Sequence, residues 1–72
     1  MTDHERSVHA QVAHVGTHQR EAMLRIARGA RVNKQTIASL ESRGWLRHDD
    51  YQSIELTDDG ALALKIIREE FR

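Results

Sequence analysis

Residues 33–46 read NKQTIASLESRGWL, and this stretch decides the fold. Asn33 is a preferred helix N-cap, and residues 34–43 contain neither glycine nor proline, so they can form a helix that a glycine then ends. Ile37 and Leu40 share one face at helical spacing, whereas the opposite face carries small polar side chains. The stretch therefore predicts a short amphipathic helix with a polar outer face that carries few charges.

An N-terminal helix is predicted upstream, over residues 1–16. Thr2 followed by Glu5 has the form of a capping box, in which each residue satisfies a free backbone N–H group of the first turn. The apolar positions at helical spacing are Val8, Val12 and Val15. Gly16 is expected to close this helix in the left-handed conformation.

A second helix is predicted from His18 to about Arg28, with Thr17 as its N-cap and Gly29 at its end. Its apolar face consists of Ala22, Met23, Ile26, Ala27 and Ala30. The arginines that point away from this face are Arg20, Arg25 and Arg28. A short strand is expected around residues 31–32, before the helix of residues 34–43.

The sequence changes period after Gly44. Polar and apolar residues alternate on both sides of Asp49 and Asp50, which predicts a β-hairpin over residues 45–56. Thr57 is a good cap for a last helix, residues 57–72, and two aspartates follow it where the helix dipole favours negative charge. The apolar residues of this helix are Leu62, Leu64, Ile66, Ile67 and Phe71, and they cover more than one face.

Two segments resemble parts of a known family. Residues 36–46 resemble the recognition helix and first wing strand of winged-helix DNA-binding domains. Residues 56–64, LTDDGALAL, look like the L-T-x-x-G-x-x-x-L element that follows the wing in this group, MarR-like regulators included. The resemblance spans residues 17–64. It implies an α+β fold, a small winged helix with three to four helices and a two- or three-stranded antiparallel hairpin as the wing.

The resemblance also sets the expected domain organisation. Residues 1–72 form a single winged-helix domain, with residues 17–64 as its core between the N-terminal and C-terminal helices. A winged helix usually has two helices between its first helix and its wing. Only 14 residues separate Gly29 from Gly44, which leaves room for one helix and a short strand, so the resemblance implies a shortened helix-turn-helix whose first helix is lost or reduced to a turn.

Charge is distributed unevenly along the chain. The formal net charge is zero, which argues against a polybasic protein that coats nucleic acid. Residues 20–47, however, carry seven basic residues against two acidic ones, whereas residues 1–19 have a net charge of −1 and residues 48–72 a net charge of −4. The winged-helix resemblance implies that the helix of residues 34–43 enters the major groove of double-stranded DNA. The candidate DNA-binding residues are Arg20, Arg28, Arg31, Asn33, Lys34, Gln35, Ser39, Ser42, Arg43 and Arg47.

The expected function is therefore sequence-specific DNA binding, by a small transcriptional regulator or accessory factor. The alternative is a winged-helix module that binds another protein and not DNA, since Asp49 and Asp50 at the hairpin tip would repel phosphate. The resemblance implies a homodimer with symmetric half-sites, and the apolar surfaces of both terminal helices suggest where it would form. Trp45 is interpreted as a packing residue at the hairpin root, with base stacking as the other interpretation.

Other classes of function lack a pattern in this sequence. No phosphate-binding loop or nucleophile motif indicates an enzyme, and no small-molecule substrate or cofactor is expected. His14 and His18 have the spacing of two metal ligands on one helix, but Gly16 and Thr17 interrupt that helix, and the chain has no cysteine, so no metal site is predicted. No apolar run reaches the length of a membrane span and no signal peptide opens the chain, so we expect a cytoplasmic protein.

Overall fold

The fold was analysed on a computed structural model, which describes residues 2–48 and 53–71. The elements in chain order are α1 (Asp3–His14), α2 (Thr17–Ala27), α3 (Lys34–Ser42), β1 (Leu46–His48), β2 (Ile54–Leu56) and α4 (Asp58–Glu70). Helices and one antiparallel two-stranded sheet thus make up the described part of the chain, which confirms the α+β class.

The first and last helices pack against each other. The three valines of the first segment, Val8, Val12 and Val15, are at most 4% exposed. On α4, Ala63, Leu64, Ile66 and Ile67 are buried in the same core. Because α4 contacts α1, α2 and β2, its wide apolar surface is covered within the chain. The side chains that suggested a homodimer interface are therefore mostly core residues; Leu62 is half-buried and Phe71 is 36% exposed.

The connection between α1 and α2 differs from the prediction. Thr2 caps α1 as expected, since its hydroxyl oxygen accepts from the N–H of Glu5 at 3.1 Å. Gly16 has a φ of −71°, so it does not close α1 in the left-handed conformation. Gly16 is instead the N-cap of α2, and Thr17 is the first residue inside that helix. Both predicted roles are wrong because α2 begins one residue earlier than its cap preference suggests.

The segment between α2 and α3 contains one turn and, among the described residues, no strand. Gly29 ends α2 with a φ of 76°, as predicted. Residues 31–32, where a strand was expected, pair with no other described strand, so the sheet has two strands. The apolar face of α2 is also narrower than predicted. Ala27 is exposed, and Ala30 is exposed as well because it lies beyond the end of α2.

The α3 helix and the hairpin follow the prediction closely. Asn33 caps α3, with its Oδ1 accepting from the N–H of Gln35 at 2.7 Å. Gly44 ends α3 with a φ of 84°, where its N–H donates to Glu41 O and the next N–H to Leu40 O. This is the paired bonding of a Schellman C-cap.

The two strands then pair antiparallel. Leu46 lies opposite Leu56, Arg47 opposite Glu55, and His48 opposite Ile54. The predicted tip at Asp49–Asp50 lies outside the described residues. The described part of the predicted hairpin is therefore its two short strands, Leu46–His48 and Ile54–Leu56.

Thr57 joins three elements at the base of the hairpin. Its N–H donates to Trp45 O at 3.0 Å, and its hydroxyl donates to Gly44 O while accepting from the N–H of Gly60 at 3.0 Å. Thr57 is thus the predicted N-cap of α4 and also a link to the end of α3. Trp45, between the two, is fully buried.

Candidate nucleic-acid interface

The outer face of α3 is open to solvent. Thr36 and Leu40 are buried and Ile37 is half-buried, which fixes the side of the helix that faces the core. The exposed residues are Lys34, Gln35, Ala38, Ser39 and Ser42. This face has small side chains near its centre and a cation at its N-terminal end. Four of the ten predicted site residues lie on it.

The N-terminal turn of α2 lies beside this face. Gln19 Nε2 donates to Ser39 Oγ at 3.4 Å, and Gln19 Oε1 accepts from Arg43 Nε at 3.0 Å. On the same turn, His18 Nε2 is 3.2 Å from Thr36 Oγ1. Sequence reasoning missed Gln19, because no local pattern indicates which residue of α3 a side chain on α2 will meet.

Arg43 follows the last residue of α3 and is exposed. Its guanidinium carbon lies 6.0 Å from the centre of the Trp45 ring, within the range of a cation–π contact. The guanidinium has no carboxylate partner among the described residues. Arg43 therefore keeps its charge available at the C-terminal end of the α3 face.

The other candidate residues divide into two groups. Arg28, Arg31 and Lys34 are exposed, and none forms an ion pair within residues 2–48 and 53–71. Asn33 is also exposed, but its carbonyl oxygen is used to cap α3. Arg28, Arg31 and Lys34 thus place three unpaired positive charges between the end of α2 and the first residue of α3, within the part of the chain that the structure describes.

Arg20 does not belong to this surface. Its Nη1 donates to Val12 O at 3.0 Å and to Val15 O at 2.8 Å, and its guanidinium lies 4.8 Å from the centre of the Phe71 ring. The last carbonyl groups of a helix have no partner inside the helix, so a long cation from the next helix satisfies them. The prediction that Arg20 points away towards phosphate is therefore wrong, and its observed role is to close α1.

The cations of the hairpin root are paired. Arg47 Nε is 3.0 Å from Glu55 Oε2 on the opposite strand, and His48 Nδ1 is 3.0 Å from Glu41 Oε1 on α3. Arg47 is exposed, as a DNA contact requires, but its charge is partly neutralised. Within the described residues, the hairpin thus adds less positive charge to the α3 face than the sequence suggests.

A second basic surface lies on the outer side of α2. Arg25, Arg28 and Arg68 surround an open hollow of about 370 Å³, together with Glu21 and Leu24. Arg68 belongs to α4, in the part of the sequence with net negative charge. Its position next to the α2 arginines depends on helix packing, which the charge distribution along the chain does not show.

Trp45 is a core residue and not a surface for base stacking. Its exposed fraction is 0%, and its indole N–H has no hydrogen-bond partner among the described residues. The packing interpretation is confirmed, because a fully buried ring cannot stack on a base without unfolding the hairpin root. Trp45 acts on the site indirectly, as the surface beneath Arg43.

Two histidines of α1 contact carboxylates of α4. His4 Nε2 is 2.6 Å from Asp59 Oδ1, and His9 Nε2 is 2.8 Å from Glu70 Oε2, so both connect α1 to α4. Within residues 2–48 and 53–71, no three histidine or acidic side chains are grouped as metal ligands.

No helix among the described residues is long and apolar enough to cross a membrane.

Comparison with family models, with curated proteins and with solved structures found no significant match to this chain.

Proposed function

We propose that this protein binds double-stranded DNA through the outer face of α3, as a small transcriptional regulator or accessory factor. The observation that carries the proposal is the exposed, uncovered face of α3 with the N-terminal turn of α2 beside it. The major groove of B-form DNA is about 12 Å wide and admits one helix. Small residues such as Ala38 and Ser42 would let the α3 backbone come close to the base edges.

The polar residues of this face have the chemistry that base edges require. Gln35, exposed in the first turn of α3, can bond adenine N6 and N7 together. Lys34 and Arg43, at opposite ends of the helix, can bond guanine or phosphate. Arg28 and Arg31 would bind the DNA backbone, which supplies much of the affinity but no direct sequence information.

The start of α2 supports the same docking. Its N-cap, Gly16, offers no side-chain hydrogen bond, and the first turn contains no acidic residue. A helix start of this kind attracts anions, because its free N–H groups and dipole favour negative charge. A phosphate next to the major groove would lie near it, since Gln19 of the same turn contacts α3.

A winged-helix arrangement of these elements is part of the proposal. We take α2 and α3 as the helix-turn-helix pair, connected by residues 28–33, and α1 as the preceding helix. With α1 counted as the first helix, α2 and α3 are the two helices between it and the hairpin, so the proposal replaces the shortened pair expected from the sequence with a complete one. The contacts of Thr57 support this arrangement. Thr57 and Gly60 are the threonine and glycine of the L-T-x-x-G element, and the bonds of Thr57 connect the hairpin root to the first turn of α4.

Titration of a fluorescent duplex with the full chain tests the proposal, using first a random sequence and then duplexes selected from a randomised library. We expect binding that weakens as salt increases, and tighter binding to the selected sites. The variant Ala38→Glu places a carboxylate at the centre of the α3 face and should lower the affinity at least about tenfold, the order of one base-specific hydrogen-bond pair. The matched control Ala10→Glu adds the same charge to an exposed position of α1 and should bind almost as the natural chain does.

Protein docking is the second candidate. Ile26, Val32, Ile37 and Ile54 are half-buried around an open hollow of about 330 Å³ beside α3, an apolar surface that DNA binding does not require. If the folded chain binds neither random nor selected duplexes, the DNA proposal is wrong and docking becomes the better explanation of the α3 surface.

A further inference from the structure

We propose that Gln19 is a positioning residue, which orients Arg43 for its contact with DNA. The inference rests on the proposed function and adds to it a residue of a different helix. Gln19 lies on α2, is half-buried and carries no charge, so it would not be chosen as a DNA ligand from composition or spacing.

The hydrogen bonds of Gln19 fix both ends of its amide group. Its Oε1 accepts from Arg43 Nε at 3.0 Å, and its Nε2 donates to Ser39 Oγ at 3.4 Å. An amide fixed at one end only could rotate about its terminal torsion and release Arg43. With both ends bonded, Gln19 connects the start of α2 to two residues of the α3 surface.

The bond at Nε determines what Arg43 can still offer. The two terminal amino groups of the guanidinium have no hydrogen-bond partner within residues 2–48 and 53–71, and together they form a planar fork. This fork matches a phosphate, or O6 and N7 of guanine, through two parallel hydrogen bonds. The guanidinium also lies over the Trp45 ring, 6.0 Å from its centre, which adds a weak cation–π contact. Arg43 is therefore oriented before DNA arrives, which lowers the entropy cost of binding.

A double-mutant cycle tests the inference on the full chain. The variants are Gln19→Leu, Arg43→Ala and the two combined, measured against a selected duplex. Gln19→Leu should weaken binding roughly fivefold, the effect of removing one hydrogen bond of ordinary strength. In the Arg43→Ala background the same change should have almost no effect, because Gln19 acts through Arg43. A role of Gln19 in folding alone would weaken binding equally in both backgrounds.

The control and a second measurement separate the possible failures. Gln11→Leu makes the same chemical change at a half-buried position of α1, where the side chain has no hydrogen bond to a described residue, and should leave binding unchanged. Nuclear magnetic resonance of the free protein should show Arg43 Nε–H exchanging slowly with water, and faster in Gln19→Leu.

The outcomes have distinct meanings. Natural protein that does not bind DNA overturns both the proposed function and this inference. Natural protein that binds DNA, with equal reductions in affinity for Gln19→Leu in both backgrounds, overturns the inference alone. Fast exchange of Arg43 Nε–H in the natural chain overturns the preorientation of Arg43, whatever the DNA result.

Discussion

The carbonyl group of Trp45 occupies the space that a side chain at Gly60 would need. A Cβ atom built on Gly60 would lie 1.9 Å from Trp45 O and 2.8 Å from its carbonyl carbon, both backbone atoms that cannot move aside alone. The first turn of α4 is therefore pressed against Trp45, the second residue after the C-cap of α3. The glycine of the L-T-x-x-G element is a packing requirement at this point.

Gly60→Ala should destabilise the protein by about 2 kcal/mol or more, because the added methyl group overpacks a rigid site. Helix propensity alone would make the Gly60→Ala protein about 1 kcal/mol more stable than the natural chain. Urea unfolding of the two proteins measures the difference in their free energies of unfolding. Ala61→Gly, at the exposed neighbouring position, should cost about 1 kcal/mol and shows that this turn responds to propensity. A Gly60→Ala protein as stable as the natural chain would contradict the close contact.

Thr57→Val should cost about 2 kcal/mol, since the hydroxyl of Thr57 both caps α4 and donates to Gly44 O. Thr17→Val is the matched control: the Thr17 hydroxyl caps no helix and has only a long, exposed contact of 3.5 Å from Arg20 Nη2, so the free energy of unfolding should change by less than about 0.5 kcal/mol. Thermal and urea denaturation of both variants check this pair. Equal destabilisation of the two variants would mean that Thr17 is a cap after all.

Arg20→Met should lower stability by about 1–2 kcal/mol, because it removes the hydrogen bonds to Val12 O and Val15 O. Arg25→Met removes a charge from an exposed position of the same helix and should have a much smaller effect. We also expect folded Arg20→Met to bind a DNA duplex nearly as well as the natural chain, measured by fluorescence anisotropy. A large decrease in affinity at unchanged stability would return Arg20 to the DNA surface.

The double variant Lys34→Ala with Arg43→Ala should weaken DNA binding by about 1–3 kcal/mol for each base that the two side chains recognise. If the two residues bind phosphates instead, the plot of log association constant against log salt concentration should become less steep, its negative slope shrinking in magnitude by about 2. Arg6→Ala with Lys65→Ala removes the same charge from exposed positions of α1 and α4, so it controls for net charge. Equal weakening in the two double variants would remove α3 from the interface.

Local signals in the sequence predict α3 and the hairpin well. Asn33 and Gly44 mark the ends of the helix by cap chemistry, and the alternation on either side of residues 49–52 predicts antiparallel strands. Cap preferences predict the wrong N-cap for α2, because glycine and threonine are both acceptable N-caps and Gly16 and Thr17 are adjacent. The start of α2 is therefore displaced by one residue.

The parts of the site that the sequence does not predict all depend on contacts between distant elements. Arg20 turns to the end of α1, Gln19 meets Arg43, and Arg68 joins the α2 arginines only after the helices pack. The apolar face of α4 shows the same limit. Its width indicates that something covers it, but only the fold shows that α1 and α2 of the same chain do so.

The junction at Thr57 has a mechanical consequence. Gly44, Trp45, Thr57 and Gly60 connect the end of α3, both ends of the hairpin root and the start of α4 through the Thr57 hydroxyl and backbone groups. A tilt of α3 relative to α4 would break several of these bonds at once. The outer face of α3 is therefore braced against the core, so a ligand would meet a backbone surface whose shape is already set, and adaptation would be left to the side chains.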